Sequence, residues 1–212
     1  MDLAELTQNV IEGNAPGAGA LTGEALEAGM DPLDIVQKWL VPGMDIVGEK
    51  FKNEEYYMPD MLLSARAMKT AMALIRPLLV DREDASVGKV VIGTVKGDLH
   101  DIGKNLVAMM LEGAGFEVND LGTDVSPEAF VEAVDKSQPD LICMSALLTT
   151  TMPMMETTIK GLSEAELLQT VKVMVGGAPV TEAYANRIGA HAFAQEAATA
   201  VEAARALVGV TG

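Results

Sequence analysis

Five short apolar runs, each followed by a helical segment, fill the chain from residue 89 onward. Within the segments that separate the runs, apolar residues recur every three to four positions, which predicts helices, whereas the runs have the length of strands. The predicted strands are Lys89–Val95, Phe116–Asp120, Asp140–Ser145, Val171–Val175 and His191–Ala194. The predicted helices are Asn105–Gly113, Pro127–Lys136, Pro153–Leu168, Thr181–Ile188 and a last helix that ends near Val208.

This alternation constrains the fold strongly. Strands that are almost continuously apolar belong to a parallel sheet that helices cover on both faces. Five strand–helix units therefore predict an α/β flavodoxin-like (Rossmann-like) domain with a five-stranded parallel sheet, spanning residues 88–212. In such a sheet, ligands bind beyond the carboxyl ends of the strands, near the point where the strand order changes direction. The residues that follow the strands are thus the first candidates for a functional site.

The first third of the chain has helical periodicity only. Asp31 and Pro32 predict a helix start, with a capping acid followed by proline at the first helical position, and Pro59 begins another helix. With two earlier helical segments, these helices predict a four-helix bundle over residues 1–84. The polar segment 81–88 (DREDASVG) is the predicted boundary between the bundle and the α/β domain.

The charge of the chain excludes several classes of partner. With 31 acidic and 15 basic residues, the formal net charge is −16, so no basic face is expected for nucleic acid or for an anionic membrane. The single cysteine, Cys143, lies in an apolar run and has no second cysteine with which to form a disulfide within the chain. The first residues lack the features of a signal peptide, and a cytoplasmic location is expected.

Three of the predicted strands are followed by residues that could hold a ligand. The loops contain Asp98, His100, Asp101, Gly103 and Lys104 after the first strand, 145–151 (SALLTTT) after the third, and 176–179 (GGAP) after the fourth. All three loops are expected at the same edge of the sheet, because parallel strands end there together. Each feature alone has an ordinary structural explanation, such as a surface histidine, an aspartate that caps a helix, or a glycine turn.

Together, the loops combine a possible metal ligand with a carboxylate, a hydroxyl group and glycines that leave space for a bulky group. Histidine binds transition metals well, and a nearby carboxylate can hold its second ring nitrogen. Two histidines and one cysteine make a multi-ligand zinc site improbable, and the loops match neither a dinucleotide fingerprint nor a phosphate-binding P-loop. A single ligand is enough only where a macrocyclic cofactor supplies the other metal bonds.

At this point the sequence resembles a known family. Asp98, His100 and Gly103, then Ser145 with Leu147, then a glycine pair are similar to the D-x-H-x-x-G, S-x-L and G-G signature of corrinoid-binding proteins. The spacings agree as well, with 41 residues between Gly103 and Ser145 and 28 between Leu147 and Gly176. The segment 47–72 also resembles the helical cap of methionine synthase's cobalamin module and of its methyltransferase relatives.

The resemblance implies a role for each matched residue. His100 corresponds to the lower axial ligand of cobalt, Asp98 to the acid that is hydrogen-bonded to it, and Ser145 to the next member of that relay. The cofactor's nucleotide tail would enter a channel lined by Gly103, Ser145, Leu147, Gly176 and Gly177. Neighbouring residues expected to contact the cofactor are Leu99, Asp101, Ile102, Thr149, Thr150, Ala178, Pro179 and Phe193.

Two residues of the bundle complete the predicted site. Phe51 and Met58 correspond to the apolar cap residues that lie over the methyl group, although the family commonly has leucine at the second position. Without the resemblance, both would be assigned to the core of the bundle. The cofactor implied is cobalamin or a related corrinoid that is methylated in turnover.

The function implied is that of a corrinoid methyl carrier. Such a protein accepts a methyl group on cob(I)alamin from a donor-specific methyltransferase and passes it from methyl-Co(III) to a second methyltransferase with a folate (tetrahydrofolate) or thiol acceptor. A reductive activating protein is a further expected partner. Two alternatives stay open, namely the cobalamin subunit of a radical carbon-skeleton mutase and a cobalamin-dependent sensor or regulator. The sequence identifies neither the methyl donor nor the acceptor, because specificity resides in the partner enzymes.

Overall fold

The computed structural model describes residues 3–79 and 86–209 and divides the chain into two compact units. One unit comprises Met1–Ser86 with Glu112–Gly115, and the other comprises Val87–Leu111 with Phe116–Gly212. Most of the predicted linker, residues 81–85, lies outside the described residues.

The first unit is helical, as the sequence predicts. Its α-helices are α1 (Ala4–Ile11), α2 (Ala15–Glu27), α3 (Pro32–Ile35), α4 (Val41–Lys52) and α5 (Met58–Ile75). A π-helical turn, Val36–Leu40, joins α3 to α4 without a break, so the described part of the bundle has four helical rods. The wide turn comes just before Pro42, which has no N–H to donate to the preceding turn.

The start of α3 follows directly from its sequence. The carboxylate of Asp31 accepts hydrogen bonds from the backbone N–H groups of Leu33 (2.8 Å) and Asp34 (3.3 Å), while Pro32 occupies the first turn. These contacts satisfy donors that a helix otherwise leaves free at its amino end. The interior of the bundle is formed by aliphatic and methionine side chains, among them Leu6, Val10, Ile35, Leu40, Met61, Met68 and Ile75.

The second unit is the predicted α/β domain. Its strands are β1 (Lys89–Thr94), β2 (Glu117–Asp120), β3 (Leu141–Ser145), β4 (Lys172–Gly176) and β5 (Ala192–Ala194). Its helices are α6 (Ile102–Gly113), α7 (Pro127–Ser137), α8 (Pro153–Glu164), α9 (Glu182–Ile188) and α10 (Ala197–Val208). The strands are all parallel and lie in the order β2-β1-β3-β4-β5, which confirms the flavodoxin-like topology.

The register of the sheet brings the strand ends together. Thr94 lies opposite Ser145, Ser145 lies opposite Gly176, and Gly176 lies opposite Ala194. The chain leaves β1 toward β2 on one side and leaves β3 toward β4 on the other, so the loops after these two strands diverge and open a crevice. The candidate residues follow these strands. Among the described residues, no helix is both long and apolar enough to cross a membrane.

Candidate functional site

Asp98 and His100 form a close pair in the loop between β1 and α6. The His100 Nδ1 atom lies 2.7 Å from Asp98 Oδ1, and the same oxygen accepts the backbone N–H of His100 at 3.1 Å. The side chain of Asp98 is completely buried, whereas that of His100 is 53% exposed. The loop therefore holds one side of the imidazole against a buried carboxylate and presents the other side outward.

The second oxygen of Asp98 joins this loop to the one after β3. Asp98 Oδ2 accepts the N–H groups of Leu147 (2.8 Å) and Leu148 (3.2 Å) and the hydroxyl of Thr151 (2.8 Å). Burial alone would raise the pKa of Asp98. The hydrogen bonds from His100, Leu147 and Thr151 outweigh that effect and hold the pKa well below its usual range. The carboxylate is therefore ionised at neutral pH.

The charge on Asp98 decides which nitrogen of His100 is available. An ionised carboxylate only accepts hydrogen bonds, so Nδ1 carries a proton, and in the neutral imidazole the lone pair is therefore on Nε2. An outward-facing Nε2 is a metal ligand, and the hydrogen bond at Nδ1 fixes the orientation of the ring. Within the described ranges, no group of three or more histidine, cysteine or acidic side chains could hold a metal ion.

The hydroxyl that contacts Asp98 belongs to Thr151 and not to Ser145, to which the resemblance assigned this place in the relay. Ser145 ends β3, and its carbonyl accepts the N–H of Val95 at 3.0 Å. Thr151 is buried six residues later, while Thr149 and Thr150 are exposed. The run of three threonines at 149–151 was the only sequence feature that could have pointed to this hydroxyl. The path of the loop determines which of the three contacts Asp98.

Large apolar side chains are exposed on the same two loops. Leu99 and Ile102 flank His100 with 73% and 71% of their surface exposed, and Leu147 and Leu148 follow β3 at 41% each. The sequence places all four in the candidate loops, but Leu148 was not among the residues expected to contact the cofactor. Exposed apolar groups in such number indicate a surface that an apolar partner or ligand covers.

The two glycines at the end of β4, Gly176 in the strand and Gly177 after it, are required by the backbone of the site. Gly177 has a φ of +124°, and a side chain there would place Cβ 1.9 Å from the carbonyl oxygen of Ala146. A Cβ on Gly176 would lie 2.8 Å from the carbonyl oxygen of Ala194. Only glycine lets the loops after β3 and β4 approach so closely. Beyond the pair, Ala178 is exposed and Pro179 is partly buried.

Gly103 differs from that pair. A Cβ built on it would have no neighbouring atom within 4 Å, so the protein itself does not require glycine at this position. Alanine would favour the first turn of α6 more than glycine does. Open space at a glycine beside His100 fits a ligand that passes close to the backbone.

The remaining predicted residues occupy varied positions. Asp101 accepts the N–H of Asn105 at its carbonyl (2.7 Å) and the Asn105 amide at its carboxylate (3.1 Å), which ties it to α6. Phe193 lies on β5 opposite Val175 and packs partly exposed against the core of the α/β unit. In the helical unit, Phe51 lies in the last turn of α4 and Met58 begins α5, and both are partly exposed.

Fold and site together place a half-exposed histidine, paired with a buried aspartate, at the carboxyl edge of a parallel sheet and among exposed apolar side chains. Residues 88–205 match the family described as B12 binding domain, and residues 3–76 match a second family with the same description. The chain belongs to the B12-binding proteins.

Individual relatives are similar over most of their length. Trimethylamine corrinoid protein 1 of Methanosarcina acetivorans is 44% identical over 193 residues, which cover 90% of this chain and 89% of the relative. A cobalamin-binding protein from Desulfitobacterium hafniense has a crystal structure with a TM-score of 0.81 and 32% identity, covering 98% of both chains. The methanol:cobalamin methyltransferase complex MtaBC from Methanosarcina barkeri gives a TM-score of 0.86 and 30% identity, covering 97% of this chain and 79% of the other.

Proposed function

We propose that this protein is a corrinoid methyl carrier in which His100 would be the protein ligand to the cobalt of the cofactor. The observation that carries the proposal is the pairing of a buried Asp98 with a half-exposed His100, whose Nδ1 lies 2.7 Å from the carboxylate. When bound, the corrinoid supplies a metal centre that takes up and releases a methyl group. The protein binds the cofactor, orients the imidazole and retains the proton on Nδ1.

The relay governs how firmly the histidine is held. Because Thr151 and two backbone N–H groups stabilise the charge on Asp98, the carboxylate remains a strong acceptor for Nδ1–H. The exposed leucine and isoleucine side chains around the ring would exclude water from the same face. Phe51 and Met58 of the helical unit are proposed as further contacts of the cofactor, as the family resemblance implies.

The partners are proposed from the names of the related proteins and from the chemistry of the described site. That site offers a ligand for a cofactor rather than groups that would activate a substrate. A donor-specific methyltransferase for methylamines or methanol would deliver the methyl group, in keeping with the names of the trimethylamine and methanol relatives. An acceptor methyltransferase with tetrahydrofolate or a thiol would remove it, and a reductive activating protein would restore the cofactor. The net charge of −16 favours basic docking surfaces on these partners. A cytoplasmic location remains a prediction from the sequence.

The helical region favours a methyl carrier over the alternatives. Residues 3–76 match a B12 binding family of their own, and mutase subunits usually lack such a helical region. A sensor that regulates genes would be expected to bind DNA through a basic surface, whereas this chain carries a net charge of −16.

The proposal is tested by loading the apo-protein with cobalamin and assaying methyl transfer. One equivalent should remain bound after gel filtration, and consumption of trimethylamine, dimethylamine, monomethylamine or methanol should require the matching methyltransferase. Binding without methyl transfer from any of these donors, in the presence of an acceptor enzyme and reductant, would contradict a carrier role in methylamine or methanol systems.

Gly103 provides a separate test of how the cofactor binds. We expect Gly103→Ala to leave the apo-protein at least as stable as wild type, because its Cβ meets no atom and alanine favours helices. The same methyl group should weaken cobalamin binding by about tenfold or more, since overpacking costs about 1–3 kcal/mol. Thermal unfolding of the apo-protein and equilibrium titration with cobalamin measure the two effects. Wild-type affinity would show that the cofactor does not pass Gly103.

Gly23 supplies the matched control. It lies in α2, and a Cβ there also meets no atom within 4 Å. Gly23→Ala should therefore raise helix stability in the same way without changing cobalamin affinity.

A further inference from the structure

The main chain of His100 is held by a contact distinct from the Asp98 relay. The hydroxyl of Thr94 donates to the carbonyl oxygen of His100 at 2.9 Å. Thr94 is the last residue of β1 and is completely buried. Its own backbone is fixed, because its N–H donates to Gly122 (2.9 Å) and its carbonyl accepts from Val125 (3.0 Å). The hydroxyl is thus attached to a rigid part of the sheet.

The loop between Thr94 and His100 is fastened along its length. Gly97, with a φ of +83°, turns the chain, and its N–H donates to Asp124 Oδ1 at 2.7 Å. The carbonyl of Asp98 accepts the N–H of Asp124 at 3.0 Å. These contacts hold residues 97 and 98, whereas the Thr94 hydroxyl acts at the far end, on the peptide group that follows the imidazole.

The buried hydroxyl of Thr94 is not explained by packing or by strand propensity. Valine has nearly the shape of threonine, suits strands equally well and avoids burying a polar group. In the same unit, buried Thr158 satisfies its hydroxyl on the carbonyl of Met154, four residues earlier in its own helix, at 2.8 Å. Thr94 instead reaches across a loop to the residue that presents Nε2.

We propose that Thr94 is a positioning residue for His100, fixing the peptide group between His100 and Asp101 so that the imidazole stays over Asp98 with Nε2 outward. The hydrogen bonds to Asp98 hold the ring and the N–H of His100, and Asp101 is tied to α6, but none of these contacts restricts the freedom of the His100 carbonyl oxygen itself. The Thr94 hydroxyl removes that freedom before the cofactor binds, and pre-organisation of this kind strengthens binding. The inference rests on the proposed function, in which His100 is the ligand.

Thr94→Val and Thr94→Ser separate the hydroxyl from the shape of the side chain. In the apo-protein, Thr94→Val should speed amide hydrogen exchange of residues 97–101 by about tenfold, because a hydrogen bond to a partly buried carbonyl is lost. In the cobalamin-loaded protein, the equilibrium between imidazole-coordinated and uncoordinated cofactor should shift about tenfold toward the uncoordinated form, because the same hydrogen bond is lost. The visible spectrum measures this shift. Thr94→Ser retains the hydroxyl and should restore both values toward wild type.

Thr158→Val is the matched control, since it removes a buried hydroxyl at a distance from the loop. It should change neither the exchange of residues 97–101 nor the fraction of coordinated cofactor. Wild-type behaviour of Thr94→Val in both measurements, or equal effects of Thr158→Val, would overturn the positioning role. If the wild-type protein showed no imidazole coordination, the proposed ligand would be wrong, while exchange in the apo-protein would still decide whether Thr94 holds the loop.

Discussion

Replacement of His100 by glycine should yield a folded protein that binds cobalamin without imidazole coordination. The ring is half exposed and contributes no core packing, so the fold should survive its removal. Loss of the single protein ligand should reduce cobalamin affinity by about 100-fold or more, which corresponds to about 2.8 kcal/mol. The visible spectrum should become that of cofactor lacking a lower nitrogen ligand, and methyl transfer should fall with it.

Two comparisons make this experiment specific. Added imidazole should restore the coordinated spectrum of the His100→Gly protein, because it can enter the space the ring has left. His191→Gln is the matched control, since His191 is the second histidine of the chain and its Nδ1 accepts the N–H of Val173 (2.9 Å) near the amino ends of the strands. A wild-type spectrum for His100→Gly, or loss of coordination in His191→Gln, would refute the ligand assignment.

The sheet is predictable from the sequence because its signal is strong and local. Each strand is a nearly continuous apolar run between polar turns, and parallel pairing places the ends of those runs side by side. For this reason the amino-acid sequence alone is enough to expect the ends of β1, β3 and β4 at one edge of the sheet, where Thr94 lies opposite Ser145 and Ser145 lies opposite Gly176.

The details of the loops are not predictable in the same way. The choice of Thr151 over Ser145 as the partner of Asp98 depends on a turn of six residues, in which periodicity carries no information. The helix predicted over Pro153–Leu168 ends earlier, at Glu164, because Glu166 adopts a left-handed conformation (φ 59°) that breaks it. Tertiary contacts outweigh local preference at such positions.

The family signature is most informative where chemistry, rather than packing, selects the residue. Asp98, His100 and the glycine pair are identified by type and spacing, and the structure brings the first two into contact and explains the close approach at Gly177. Thr94 carries no such signature. A threonine at the end of a strand is indistinguishable from an ordinary β-branched core residue unless the contact of its hydroxyl with His100 is known.

Asp98→Asn tests whether the charge of the buried carboxylate holds the site together. Five donors converge on Asp98, from the His100 ring, the N–H groups of His100, Leu147 and Leu148, and the Thr151 hydroxyl. The carboxylate has two acceptor oxygens, whereas an asparagine amide has only one. Its NH₂ group would face donors in place of the second oxygen, and donors do not bond to one another. We expect the free energy of unfolding to fall by about 3 kcal/mol, since a buried charged network loses one partner. Methyl transfer should fall by about 10–100-fold.

The pH dependence of stability gives this substitution a second signature. The folded-state pKa of Asp98 lies below its unfolded value near 4, so its contribution is fully present above that value and is lost as pH falls toward the folded pKa. Wild-type protein should therefore lose more stability than Asp98→Asn as the pH is lowered from about 5 to 2. Chemical denaturation across this range measures the difference.

Asp140→Asn is the matched control, because the Asp140 carboxylate accepts the backbone N–H of Lys89 (2.8 Å) and an amide oxygen can replace it there. It removes one negative charge from the same unit, as Asp98→Asn does, and should leave imidazole coordination and methyl transfer at wild-type levels. If Asp98→Asn instead showed wild-type imidazole coordination and wild-type methyl transfer, the role of Asp98 would be only to shape the loop. The ionised carboxylate would then have no part in fixing the proton on His100 Nδ1.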